Sequence, residues 1–205
     1  MLGHAVKSGT GGRSPNNMRI LHILADLPLG GGLSESVPML CASEQRQGME
    51  VTLVSLASTL PPAAKRAQIL GVTVISYRPT PPHVIFFSWE MLRKLTRQVE
   101  ASDVVHVHSQ WTFPVWWGCW CALRAKKTLV MSPRGCLDPV RLKHSAWKKK
   151  MVGWMDRWLL RRADVVHATC EAERAWIQAV LKFESSKVLK FGRGPRIVVI
   201  PNGVG

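Results

Sequence analysis

Two histidines, His106 and His108, stand two apart in the apolar run Asp103–Ser109, "DVVHVHS". Period-two alternation along a strand turns both to one face. A strand histidine is usually a hydrogen-bonded core group, but at a strand exit it can also hold a ligand oxygen. His108, nearer the exit, is the candidate for chemistry, and His106 reads as structural. Arg134, in "SPRG", follows another apolar run. Its guanidinium could fork onto phosphate oxygens, or simply pair at the surface with Asp138. Gly30, Gly31 and Gly32 separate the first apolar run from a helical pattern, with Ser34 or Ser36 placed to cap it. Bare backbone before a helix N-terminus suits a tight turn or a phosphate. Glu171 and Glu173 open a later helix, where they complement its positive end or face a cleft.

The glycine turn does not fit two familiar nucleotide sites. Its pattern is G-x-G-x-x-E, with Glu35 where a dinucleotide fingerprint has its third glycine. The second apolar run ends "VSLAS", with no acid for a ribose hydroxyl, and the turn has no Gly-Lys-Ser/Thr ending. The five cysteines lack paired spacing for zinc, so they read as reduced thiols, and the sequence implies no metal site.

Elements must position these residues. Strand patterns cover Arg19–Asp26, Val51–Ala57, Val72–Tyr77, Asp103–Ser109, Thr128–Gly135, Asp164–Cys170 and Ile197–Gly203. Several are nearly unbroken apolar runs, as in parallel strands covered on both faces. Helical patterns alternate with them: Glu35–Gln47 stopping at Gly48, a stripe of Leu92, Leu95 and Val99, and a long basic helix from Val140 to Arg162. Pro38 is tolerable if it falls in a first turn. The alternation predicts an α/β fold with a doubly wound, Rossmann-like, mostly parallel sheet. Asp-Val-Val-His occurs twice, at 103–106 and 164–167, as two equivalent strands of one sheet.

The 205 residues imply one domain, 18–205, behind a flexible tail, 1–17; Met18 is an alternative start of translation. The tail has no apolar core of a secretory signal. The longest greasy segment, Trp111–Leu123, falls short of the roughly 20 residues that span a bilayer. The formal charge of +15 points to an anionic partner. Its spread over several helices, without aromatic platforms, argues against nucleic acid. In the basic helix Trp147, Met151, Trp154 and Trp158 form one stripe, with Lys148, Lys149 and Lys150 beside it. Core packing is the favoured reading of that stripe; the alternative lays it on anionic lipid. "WTFPVWWGCWCAL" is either a buried helix or the lining of an acceptor entrance.

Taken in order, "MRILHILADLPLGGGLSESV", "DVVHVHSQWT", "SPRGCLDP", "ADVVHATCEAE" and "IVVIPNGV" resemble the N-terminal, acceptor-side half of a family-4 retaining glycosyltransferase. The likeness runs from Met18 to Val204. It implies one lobe of a GT-B fold, in which two Rossmann-like domains face each other across a cleft. "PNGV" resembles the crossing into the donor-side lobe, whose paired glutamates and diphosphate-gripping cations this chain does not contain. The resemblance implies transfer of a sugar from a nucleotide-diphosphate sugar to a glycan or lipid-linked acceptor, with no cofactor and no obligatory metal. It makes His108 and Arg134 the catalytic candidates and gives Gly30, Gly31, Gly32, Ser34 and Glu171 to substrate or phosphate. It also implies a cytoplasmic enzyme, peripheral on an anionic membrane and incomplete without a donor domain, which a separate gene could encode. A truncated or split-gene product that only binds is the rival expectation.

Overall fold

The computed structural model describes residues 17–26, 32–57, 59–81, 83–143, 146–182 and 194–201. Of the tail 1–17, only Asn17 is among them. All seven expected strands form: β1 (Arg19–Asp26), β2 (Glu50–Leu56), β3 (Thr73–Tyr77), β4 (Val104–His108), β5 (Thr128–Ser132), β6 (Val165–Ala168) and β7 (Arg196–Val199). They make one sheet in the order β3-β2-β1-β4-β5-β6-β7, and every pairing is parallel. The order reverses between β1 and β4, where open α/β sheets form a crevice beyond their strand C-termini.

Among the described residues, the crossovers contain helices α1 (Gly32–Arg46), α2 (Pro62–Ile69), α3 (Trp89–Ala101), α4 (Phe113–Arg124), α5 (Pro139–Lys143), α6 (Ala146–Arg162) and α7 (Glu171–Lys182). One face of the sheet packs Leu24, Val51 and Leu53 against Val37, Cys41 and Ala42 of α1 and Ala64 and Ala67 of α2. The other face packs Ile23, Val107, Leu129 and Met131 against α3, α4, α6 and α7. Buried residues on both faces explain the unbroken apolar runs. Helix α4 approaches β1 closely because Gly118 has no side chain: a Cβ there would lie 2.5 Å from Cδ1 of the fully buried Ile23.

The repeated Asp-Val-Val-His has a physical reason at each end. The Asp103 carboxylate accepts the Arg19 N–H at the start of β1, at 2.9 Å. Asp164 likewise accepts the Leu129 N–H near the start of β5, at 2.8 Å. Each aspartate pins the opening of the neighbouring strand and so fixes its register.

Several local expectations need correction. Helix α1 begins at Gly32, so Ser34 and Ser36 lie within its first turns instead of capping it, and Pro38 is inside the helix. The buried stripe of α3 runs through Met91, Leu95 and Val99, with Ser88 as its N-cap, and Leu92 is only half-buried. The long basic helix is seen as α5 and α6, and the residues between them, 144–145, lie outside the described residues. Two of its tryptophans are not core: Trp154 is 63% and Trp158 39% exposed. Gly153, Asp156, Leu160 and Ala163 turn inward in their place. The period was right, but the apolar stripe is not the face the sheet takes.

Replacing Gly118 with valine will drive branched carbon into Ile23. We expect a loss of about 2 kcal/mol in unfolding free energy, read from the denaturant midpoint at unchanged slope.

Candidate functional site

The C-terminal ends of β4, β5 and β6 carry an unusual density of polar and strained groups for a sheet interior. Parallel register sets His22 opposite His106 and His108 opposite Ser132. Side-chain alternation then puts all four, together with His167 of β6, on one face. The imidazoles of His22 and His108 are fully buried, and those of His106 and His167 nearly so. Polar groups removed from water must find partners, and these find one another.

Ser132 is shared between the two equivalent histidines of the Asp-Val-Val-His echo. Its Oγ lies 2.7 Å from His106 Nε2 and 2.9 Å from His167 Nδ1. Nε2 of His167 donates to the Ile200 carbonyl at 2.8 Å. Burial, first of all, lowers the pKa of both histidines, with Arg134 adding to the effect, so each carries one proton. With its proton committed to Ile200, His167 accepts at Nδ1 from the Ser132 hydroxyl, which in turn accepts from Nε2–H of His106. The chain of bonds has one direction.

A second chain runs from α1. The Glu44 carboxylate lies 2.6 Å from His22 Nε2, and His22 Nδ1 lies 2.9 Å from His108 Nε2. Nδ1 of His108 is buried without a hydrogen-bond partner. Burial opposes a charge on His22, but Cys41 and Glu44 outweigh it and raise its pKa to about 10. The pKa of His108 is lowered instead, by burial first, then by the charges of His106, His22, Arg134 and His167.

Ligand nitrogens of His22, His106 and His108 all lie within 4.8 Å of one another, which would suit a metal ion by proximity. Direction decides otherwise for two of them. The rings of His22 and His108 are 9° from parallel, with centroids 5.2 Å apart. At that separation a 2.9 Å N···N contact requires each nitrogen to point along the line joining the rings. Their lone-pair axes meet each other, not a common point. This is hydrogen-bond geometry.

The loops above these strands are held under strain. Ser109 and Trp111 after β4, and Arg134 after β5, all have left-handed φ values of 74°, 59° and 54°, a conformation that costs of order 1 kcal/mol or more for a residue with a Cβ. Their neighbours pay for it with hydrogen bonds. Asp156 of α6 accepts the Trp111 N–H at 3.1 Å and the Trp116 indole N–H at 3.2 Å; burial raises its pKa to about 6. Glu173, 1% exposed, accepts the Gly135 N–H at 2.6 Å and the Thr169 N–H and hydroxyl, each at 2.7 Å. One carboxylate thus ties the Arg134 loop to the start of α7. Burial lowers the pKa of Arg134, while the Glu173 carboxylate works against that shift.

The sequence candidates therefore fall in different places. His108 ends β4 and Arg134 follows the adjacent β5, so both lie on the same rim. Glu171 is exposed, with its side chain near Arg174 at 3.4 Å, whereas Glu173 turns inward. Ser34 is buried in the first turn of α1, and Gly32 is that helix's first residue, with open space where a Cβ would be. Gly30 and Gly31 lie outside the described residues. Trp147, Lys148, Lys149 and Lys150 are on α6, but their side chains also lie outside the described set. Sequence reading passed over His22, Glu44, Ser132 and His167. Only the echo at 164–167 could have pointed to one of them. All five cysteines are free thiols, Cys170 alone exposed, and no helix among the described residues is long and apolar enough to cross a membrane.

A sheet of this topology with its polar groups at the switch-point edge is one that many proteins share, so comparison has to decide the family. The model of the glycosyl transferase 4-like domain matches residues 31–203. The chain belongs to that family. No curated protein sequence matches it. Among solved structures it resembles Anabaena HepE in complex with UDP and glucose, at a TM-score of 0.61 and 16% identity, over 91% of this chain and 45% of that one. Sucrose-phosphate synthase from Thermosynechococcus elongatus gives a TM-score of 0.58 at 14% identity, over 90% and 48%. MurG from Acinetobacter baumannii gives 0.50 at 10%, over 92% and 47%. The chain spans less than half the length of each. Its fold is that of one lobe of a GT-B glycosyltransferase.

Two measurements probe the site without a ligand. Glu173→Ala leaves three donors without their acceptor and should cost about 3 kcal/mol of stability, while Glu171→Ala should leave the unfolding midpoint where it is. Stability should also pass through a maximum near pH 6.5, the unperturbed histidine value. Below it, His106, His108 and His167, whose pKa values are lowered in the fold, lose their contribution as acid charges them. Above it, the contribution of His22 fades as pH climbs toward about 10. Thermal unfolding across pH reads both arms; a flat profile contradicts the assignment.

Proposed function

We propose that this chain is the acceptor-side lobe of a retaining glycosyltransferase, which moves a sugar from a nucleotide-diphosphate donor to a glycan or lipid-linked acceptor. The observation that carries the reading is the placement of His108 at the end of β4 and of Arg134 just after the adjacent β5, on the switch-point rim of a glycosyl transferase 4-like domain. The UDP and glucose bound by HepE support a nucleoside-diphosphate sugar as donor.

In this reading Arg134 meets phosphate oxygens as the diphosphate departs, and the helix N-terminus at Gly32, with Gly30 and Gly31 before it, offers backbone donors to the same charge. Fixed charges of this kind stabilise a leaving group without a metal. His108 orients the sugar, and Ser34 and Glu171 complete the substrate-binding set. The lobe needs an opposing donor-side lobe to turn over, in the same protein or in a partner; by itself it binds more than it catalyses.

The same reading makes the enzyme cytoplasmic and peripheral on a membrane, which the exposed Trp154 and Trp158 of α6 support. The Arg162 guanidinium lies 3.8 Å over the Trp158 ring, and Lys148, Lys149 and Lys150 occupy the same helix. Aromatic rings at the acyl boundary with cations at anionic headgroups is the arrangement interfacial helices use.

Transfer from radiolabelled nucleotide sugars to extracted lipid acceptors tests the reading in the natural protein that carries this lobe. His108→Ala and Arg134→Ala should each lower kcat/KM by about a hundredfold or more, with the product keeping the donor's anomeric configuration. Unchanged turnover in both variants contradicts the assignment.

A further inference from the structure

We propose that Glu44 and His22 are positioning residues that hold His108 in a single tautomer, with its proton on Nδ1, so that His108 meets a sugar ligand as a hydrogen-bond donor. The part played by the ligand rests on the glycosyltransferase reading; the relay itself does not.

One buried nitrogen at the rim has nothing to bond. His108 is fully buried, yet its Nδ1 has no partner, and it stands at the last residue of β4, under the strained Ser109–Trp111 loop. A buried polar atom left unpaired costs about 1–3 kcal/mol, a cost that a ligand oxygen would remove on binding. Whether the atom is a donor or a bare lone pair is decided at the far side of the ring. There Nε2 faces His22 Nδ1 head-on at 2.9 Å, and one of the two nitrogens must carry the proton.

His22 settles the matter through its other nitrogen. Nε2 lies 2.6 Å from the Glu44 carboxylate, an acceptor only, so that position bears a proton. A neutral His22 would then be bare at Nδ1 and would force the proton of His108 onto Nε2. A charged His22 donates at both nitrogens and leaves Nε2 of His108 as acceptor, so its proton moves to Nδ1. The groups facing His22 favour the charged form: Glu44 and Cys41 from α1 raise its pKa to about 10 against the burial that opposes it. Burial first, then the charges of His106 on the same strand, His22 on the adjacent β1, Arg134 after β5 and His167 on β6, keep the ring of His108 neutral. One charge on His22 and none on His108 leaves a single arrangement of protons.

Long-range proton–nitrogen correlation spectra of the chain labelled with 15N-histidine read the arrangement directly. At neutral pH, His22 should show both nitrogens protonated and His108 should show the Nδ1–H form. In Glu44→Gln the loss of the carboxylate charge should lower the titration midpoint of His22 by about one pH unit or more. In His22→Phe the ring of His108 loses its head-on partner, and the Nε2–H form that free imidazole prefers should take over. Thermal unfolding confirms that each variant is folded; if His22→Phe is not, Glu44→Gln carries the test alone.

An Nε2–H form of His108 in the unaltered protein, an unmoved His22 midpoint in Glu44→Gln, or an unmoved His108 tautomer in folded His22→Phe each overturns the relay. Added UDP-glucose separates the two readings. An intact relay whose His108 signals ignore saturating UDP-glucose in the two-lobed natural protein counts against the functional reading alone.

Discussion

Everything at the rim depends on the cost of burying imidazole inside a parallel sheet. Four histidines on one face would be intolerable as cations side by side, and nearly as poor as neutral rings without partners. The fold resolves this by dividing them. His106 and His167 share Ser132 between neighbouring strands, and His22 takes a charge that Glu44 compensates from α1. Strand register is what makes the division possible: a slip of one residue would turn His106, His108 and Ser132 to the opposite, apolar face. The aspartates that open β4 and β6 hold the neighbouring strands against such a slip.

The same constraint links the interior of the sheet to the loops that follow its strands. Ser132 and His108 are the last residues of their strands, so the polar row ends where the strained turns begin. Glu173 and Asp156 reach up from α7 and α6 to satisfy the loop N–H groups. Helices on one face and histidines on the other thus grip the turns from both sides. The Arg134 guanidinium is half-buried, and its charge is felt across the histidine row.

Much of the fold was legible in the sequence because parallel strands buried on both faces are unbroken apolar runs, and all seven appeared within a few residues of their ends. The site was legible only in part. His108 and Arg134 sit at strand exits, where position alone is informative. His22 is a single polar letter inside "RILHILAD", and its partner Glu44 comes 22 residues later on a helix; no local pattern joins them. Glu171 and Glu173 are two apart at a helix start, and only the packing of α7 against β6 decides which one turns inward. Trp154 and Trp158 of the α6 stripe face outward, since periodicity marks a face without saying what lies against it. Gly118 gave no signal either, because the close approach of α4 to Ile23 is a property of two distant segments.

The central claim is that the C-terminal ends of β4, β5 and β6 form the ligand-facing rim of a glycosyltransferase lobe. The most direct test is a crystal structure of the natural protein carrying this lobe, with a nucleotide sugar bound. The account predicts a sugar oxygen within hydrogen-bond distance of His108 Nδ1 and phosphate oxygens against the Arg134 guanidinium. A sugar nucleotide seated elsewhere, with both side chains touching only protein, would contradict it.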